Sequence, residues 1–252
     1  MGKSNIMVIG GKGGVGKTAL SAILTKLLLQ KKERLLLIDA DPVVSLTYAV
    51  GMEPKSTIGD FREKLIVDSG KAREATKKPM KEVIGQLVQK NNDEMELLVM
   101  GRSEGMGCFC GINDLLRFGI ESLCKEYDNI LIDCEAGVEQ VNRRAVHRMD
   151  KLILVTDTSK RGMETVAQVR EVALKYFGDS PFTVYLLVNR IRDENDILTT
   201  TALAKEHGFE VNYFIPEDLT LLKYNAIGRP LIDLPEDSLS VATLKAFVNN
   251  EL

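Results

Sequence analysis

The sequence predicts an α/β fold, a doubly wound, mostly parallel sheet flanked by helices and built as a single domain over residues 1–252. Three observations predict it. Short apolar runs recur at 6–9, 35–38, 95–100, 130–132, 152–155, 183–188 and 209–215, and several are apolar throughout, as strands buried on both faces must be. Stretches of helical spacing alternate with them, at 19–30, 112–127, 163–176 and 238–247, which is the rhythm of parallel strands joined by crossover helices. Finally, the octet Gly11-Lys12-Gly13-Gly14-Val15-Gly16-Lys17-Thr18 stands between the first strand and the first helix.

That octet is a phosphate loop by spacing and by context. Its glycines let successive backbone N–H groups face an anion without Cβ clashes, and the helix behind it adds partial positive charge. The nucleotide contacts fall on Gly13, Gly14, Val15, Gly16, Lys17, Thr18 and Ala19, with Lys17 reaching the β and γ phosphates and Thr18 ligating Mg²⁺. A merely structural turn would not explain Lys-Thr directly after the last glycine.

Composition sets the outer bounds. With 44% hydrophobic and 27% charged residues the chain has enough apolar matter for one large soluble domain. A net charge of -3 without a long basic run argues against a nucleic-acid surface. No apolar run approaches the ~20 residues of a membrane span, and no leader separates the start from the first strand, so the expectation is a cytoplasmic protein without a membrane partner. Its four cysteines then read as thiols, metal ligands or core residues rather than disulfides.

Along the chain, the second strand ends in Asp39-Ala40-Asp41-Pro42, and acids at the carboxyl end of a parallel strand face the ligand crevice. Residues 56–92 are charge-rich, with helical patches at 61–67 and 80–89 separated at Pro79. After the next strand comes Gly105-Met106-Gly107-Cys108-Phe109-Cys110-Gly111. On extended backbone the thiols of Cys108 and Cys110 project from one face, giving half of a four-sulfur site that a two-fold symmetric homodimer would complete. Chance occurrence or a strained redox pair are the competing readings. Cys124 reads as a core residue, and Cys134 as packing or as a sensor beside the switch. The strand 130–132 ends at Asp133, the position that holds the Mg²⁺ shell. A helix is expected from Asn142, with Val146 and Met149 on one face and His147 outside the metal set. Thr156-Asp157-Thr158-Ser159 caps the helix that follows. Arg192 stands where a guanine reader of the Asn-Lys-x-Asp type needs an acid, so ATP/ADP is expected over GTP.

The octet with Lys12 resembles the deviant phosphate loop of the MinD/ParA/nitrogenase-iron-protein class. That resemblance implies that Lys12 contacts nucleotide phosphates, in many members across an ATP-sandwiched dimer, that Asp41 positions the attacking water, and that Asp39 supports the Mg²⁺ shell. Asn189 then contacts adenine, and Pro216-Glu217-Asp218 rims the base pocket through its backbone. The Cys108-Phe109-Cys110 loop, Leu115-Leu116-Arg117 and Ile130-Leu131-Ile132-Asp133-Cys134-Glu135-Ala136-Gly137 are similar to the nickel-handling ATPases of carbon monoxide dehydrogenase maturation. This implies a homodimer holding Ni²⁺, or equally Zn²⁺ by ligand chemistry, on Cys108 and Cys110, with Gly137 donating its N–H to the γ-phosphate and carbon monoxide dehydrogenase as client. Alternatives are a nickel inserter for acetyl-CoA synthase, a [4Fe–4S] electron carrier using Cys108 and Cys134, and a MinD-like positioning ATPase. Val43-Val44 departs from the polar residues expected after Pro42.

Overall fold

The computed structural model describes residues 4–67, 78–91, 95–102, 110–134, 146–178 and 181–252, with side chains 66–67 and 110–116 outside that description. The strands are β1 (Asn5–Gly11), β2 (Leu35–Asp39), β3 (Gln89–Lys90), β4 (Glu96–Val99), β5 (Asn129–Asp133), β6 (Lys151–Thr156), β7 (Thr183–Ile191) and β8 (Tyr213–Pro216). They form one sheet in the order β3-β4-β2-β5-β1-β6-β7-β8. Every pairing is parallel except β3 with β4.

The helices are α1 (Lys17–Leu29), α2 (Ser45–Ala49), α3 (Ile58–Val67), α4 (Met80–Gly85), α5 (Cys110–Cys124), α6 (Lys160–Phe177), α7 (Glu194–Glu206), α8 (Leu219–Ala226) and α9 (Leu239–Glu251), with a 3₁₀ turn at Leu231–Asp233. Successive strand residues point to opposite faces, so β1 sends Met7 and Ile9 into a core shared with α1, α2 and α9, and Ile6 and Val8 into a second core shared with α4, α5 and α6. Phe247 of α9 is fully buried and meets Tyr185 and Tyr213 edge-on, each with ring centroids 5.3 Å apart. Helix α6 begins as expected, with the Ser159 hydroxyl accepting from the Gly162 N–H.

Register sets where the acids fall. Asp39 pairs with Asp133 and with Val99, and Ile9 pairs with Asp133, so β2, β4 and β5 end level while β1 runs on to Gly11. The chain runs from β1 outward to β2 on one side and from β6 to β8 on the other, which makes the β1/β6 boundary the switch point where such sheets open a ligand crevice.

Four expectations are corrected. The patch 80–89 is helical only to Gly85, and Gln89 lies in β3, held because its side-chain amide joins the Lys55 N–H and the Ser56 carbonyl. No helix carries Val146 and Met149; both are buried on irregular backbone that must drop into β6, where the Asp150 N–H donates to the Ile6 carbonyl. Cys110 is the first residue of α5, so the extended backbone expected for the cysteine pair does not hold there; Cys108 lies outside the described residues. The last strand starts at Tyr213, because Asn212 turns its carbonyl oxygen to the Leu186 N–H just before it.

Candidate functional site

The loop between β1 and α1 works because Gly16 caps the helix at φ 99°. That is left-handed backbone which residues with a Cβ adopt at a cost. A Cβ there would also sit 2.6 Å from the Asn189 amide nitrogen. Lys17, nearly buried, folds its ammonium onto the Lys12 carbonyl at 3.0 Å. Thr18 donates to Asp133 at 2.7 Å and lies 3.3 Å from the Ser45 hydroxyl, while Ser21 donates to the other Asp133 oxygen at 2.9 Å.

Asp39 is fully buried one strand away, and its carboxylate accepts from the Asp41, Leu46 and Thr47 N–H groups and from the Thr47 hydroxyl. It thereby ties α2 to the end of β2. Burial, then the neighbouring Asp133 carboxylate, pushes Asp39 up to about 7, while burial lifts Asp133 to about 6 against the Thr18 and Ser21 hydrogen bonds. Two buried acids that resist ionisation beside Thr18 and Ser45 are a hard-oxygen donor set suited to Mg²⁺. Asp133 and Thr18 would hold that ion, with Asp39 behind them. Asp41 is half-buried, accepts from the Val43 N–H at 2.8 Å and lines the cavity. Of the unexpected Val43-Val44 pair, Val44 stands at the start of α2 in left-handed backbone, φ 58°, which costs a β-branched residue energy.

Lys12 does not point at the phosphate loop. Its ammonium lies 3.2 Å from Asp157 and 3.4 Å from the Ser159 hydroxyl, across the switch point at the end of β6. Ser159 and Lys12 together hold the Asp157 carboxyl below the usual carboxylate range despite partial burial.

A cavity of about 560 Å³ extends over the N-terminus of α1, lined by Gly13, Gly14, Gly16 to Ala19, Asp41, Ser45, Tyr48, Ala49, Arg190, Asn225, Gly228, Arg229 and Leu231. Asn189 is absent from this wall. Its amide is buried, donating to the Val15 carbonyl at 2.8 Å and accepting from the Arg190 N–H, so in this conformation it braces the loop. Pro216 ends β8. Asp218 caps α8 and ties down α9 through Thr220, Leu221, Ser238 and Ser240, leaving only its backbone for a rim. Gly137 lies outside the described residues. Among the described residues no group of three or more His, Cys, Asp or Glu side chains gathers as a metal centre. Cys124 and Cys134 are buried thiols, Cys124 pushed up to about 12 and Cys134 also raised, both by burial, which makes them packing groups. His147 is exposed on its loop.

Sequence reasoning missed Asp157 as the partner of Lys12, Ser21 as the second donor to Asp133, and the Tyr48, Asn225 and Arg229 wall. The Thr-Asp-Thr-Ser string signalled a cap, and only the β1/β6 pairing gives it a second use.

With this geometry in view, the comparisons decide the family. The AAA domain family matches residues 3–176. The chain belongs to that family. An uncharacterized ATP-binding protein of Methanocaldococcus jannaschii is 35% identical over 92% of this chain and 92% of its own length. The carbon monoxide dehydrogenase accessory protein CooC of Rhodospirillum rubrum is 28% identical over 90% of this chain and 89% of its own. Among solved structures, a ParA family ATPase from Chlorobium tepidum superposes with a TM-score of 0.75 at 18% identity, covering 98% of this chain and 100% of that one. The MinD cell division protein of Aquifex aeolicus gives 0.71 at 21%, covering 99% and 98%. The chain has the predicted mostly parallel sheet, in the fold that the ParA and MinD structures share.

Proposed function

We propose that this protein hydrolyses ATP to drive a metal-handling cycle. ATP favours a homodimer, two Cys108-Phe109-Cys110 segments hold Ni²⁺ as cargo between the copies, and hydrolysis loosens the dimer so that the metal passes to carbon monoxide dehydrogenase. One observation supports the link between nucleotide and cargo: β4 ends level with Asp39 and Asp133, so the chain that goes on toward the two cysteines leaves β4 at the nucleotide edge of the sheet. The accessory-protein relative supports the client. An inserter for acetyl-CoA synthase would use the same chemistry and differ only in that client.

In the hydrolytic step a water oxygen bonds to the γ-phosphorus, the bond to the ADP oxygen breaks, and the water proton leaves to phosphate and solvent. Asp41 orients the water, Lys17 neutralises charge on the transferred group, and the N–H groups of Gly13 to Thr18 fix the phosphates. Bound Mg²⁺ supplies further charge neutralisation. Lys12 must first leave Asp157. That pair is about a quarter to a third exposed, and such ion pairs contribute only ~0–1 kcal/mol, so a triphosphate can outcompete it.

Two alternatives lose support. The burial of Cys134 beside Asp133 supports packing over a cluster ligand. A basic amphipathic membrane helix is not offered by α9, whose Val241, Leu244, Phe247 and Val248 are spent on the core.

The test is solution mass with metal content on the same peak, for wild type, Lys12→Ala and Cys108→Ser/Cys110→Ser, with ADP or a non-hydrolysable ATP analogue and Ni²⁺ or Zn²⁺. The expected result is an analogue-dependent dimer with about one metal per pair, the metal lost in the double variant and the dimer lost in Lys12→Ala. A monomer that binds no metal through these cysteines would leave the ATPase and remove the nickel.

A further inference from the structure

Nothing in the phosphate loop accounts for Arg229. It stands on the cavity wall far along the chain, in the turn between α8 and the 3₁₀ segment, and its orientation is fixed by backbone. Gly228, at φ 68°, takes the left-handed position after the end of α8; its N–H donates to the Asn225 carbonyl at 3.2 Å, and the Arg229 N–H reaches back to the Tyr224 carbonyl at 2.9 Å. This paired closure is the Schellman arrangement, which brings the residue after the left-handed position onto the residue five before it. Here the contact it makes is a guanidinium over a ring, with the Arg229 carbon 4.5 Å from the Tyr224 centroid. Tyr224 is half-buried and packed against the α1/α9 core, so the ring is a rigid backing. Arg229 itself is exposed and lines the cavity.

We propose that Arg229, held over the Tyr224 ring, is the stacking platform for the nucleobase. The cavity over Gly13 to Ala19 is also walled by Tyr48, Arg190, Asn225 and Arg229, and a nucleotide whose phosphates lie on Gly13 to Thr18 leaves these side chains for its nucleoside. Arg190 is itself held at φ 64°, at an irregularity in the β7/β8 pairing. Such backbone in a residue with a Cβ is strained and collects at ligand sites. One guanidinium face is used by Tyr224, and the other meets the π-face of the base. Stacking of this kind tolerates any base, so Arg229 supplies affinity for the nucleoside without choosing adenine over guanine. The proposal rests on the ATP-binding reading.

The experiment measures affinities of the full chain for ADP, GDP and inorganic tripolyphosphate, each with Mg²⁺, by calorimetry. Wild type is compared with Arg229→Ala, Arg229→Lys and Tyr224→Leu, with circular dichroism to confirm the fold. Arg229→Ala is expected to weaken ADP and GDP alike by about tenfold, in the range of cation–π and base-stacking losses, and to leave tripolyphosphate unchanged. Arg229→Lys keeps the charge but not the plane and should not restore binding; Tyr224→Leu should lose part of the same factor. An equal loss for tripolyphosphate would show a phosphate contact and overturn the proposal, as would unchanged ADP affinity. A wild-type chain that bound tripolyphosphate but no nucleotide would overturn this inference together with the ATP reading, whereas failure confined to the variants would leave ATP binding in place.

Discussion

Asp39→Asn in metal-free protein should stabilise the fold at pH 8 and cost about 1 kcal/mol near pH 4, where only the lost acceptor counts. Asp39 is raised from 3.8 to about 7 and Asp133 from 3.8 to about 6, so both bind protons more tightly folded than unfolded. The sign follows directly. Below about pH 4 both states are protonated and nothing is lost; from there to about pH 7 the unfolded chain ionises first and native stability falls, levelling above. Three units at 1.36 kcal/mol each give an upper bound of ~4 kcal/mol for Asp39. Replacing an acceptor oxygen that faces the Asp41 N–H with an amide removes about 1 kcal/mol of this, leaving a gain on the order of 1–3 kcal/mol at pH 8. Carboxyls held low by partners, such as Asp157 and Asp218, act with the opposite sign and only at lower pH, where their stabilisation is lost as they protonate. The two windows therefore separate. Urea unfolding in chelator at pH 4.5, 6 and 8 measures the effect, and Mg²⁺ with ADP at pH 8 should stabilise wild type more than the variant. Wild-type stability that rises between pH 5 and 8, or a variant destabilised equally at all three values, would refute the reasoning.

Gly16→Ala should abolish nucleotide binding while the chain still folds, because left-handed strain of ~1–2 kcal/mol adds to a contact 2.6 Å from the Asn189 amide that holds the loop; titration with a fluorescent ADP analogue checks it. Phe247→Ala, deep under Tyr185 and Tyr213, should cost ~3–5 kcal/mol and lower the urea midpoint without changing ligand specificity.

What the sequence determined by itself is whatever local chemistry enforces. Continuous apolar runs admit only strands covered on both faces, and glycines at fixed spacing before Lys17 and Thr18 admit only an anion loop, so the sheet, the first turn of the site and Asp133 beside Thr18 were legible. The Ser159 cap was legible for the same reason, since its bond reaches only to Gly162. Its neighbours predicted Asp157 only as part of that cap, and Asp218 only as a rim, because their other partners, Lys12 and the start of α9, come from distant sequence. Val146 and Met149 show the limit from the other side: three-residue spacing fits a helix, yet their burial comes from the descent into β6. Helices α7 and α8 were not read, although Asp193 and Asp218 cap them, because little apolar periodicity separates them from loop. Which acid pairs with which depends on strand register, and which side chains face a nucleoside depends on how the α8 turn packs over α1. Both are long-range packing outcomes, set by the free energy of the whole core rather than by any window of sequence, and only the tertiary structure decided them.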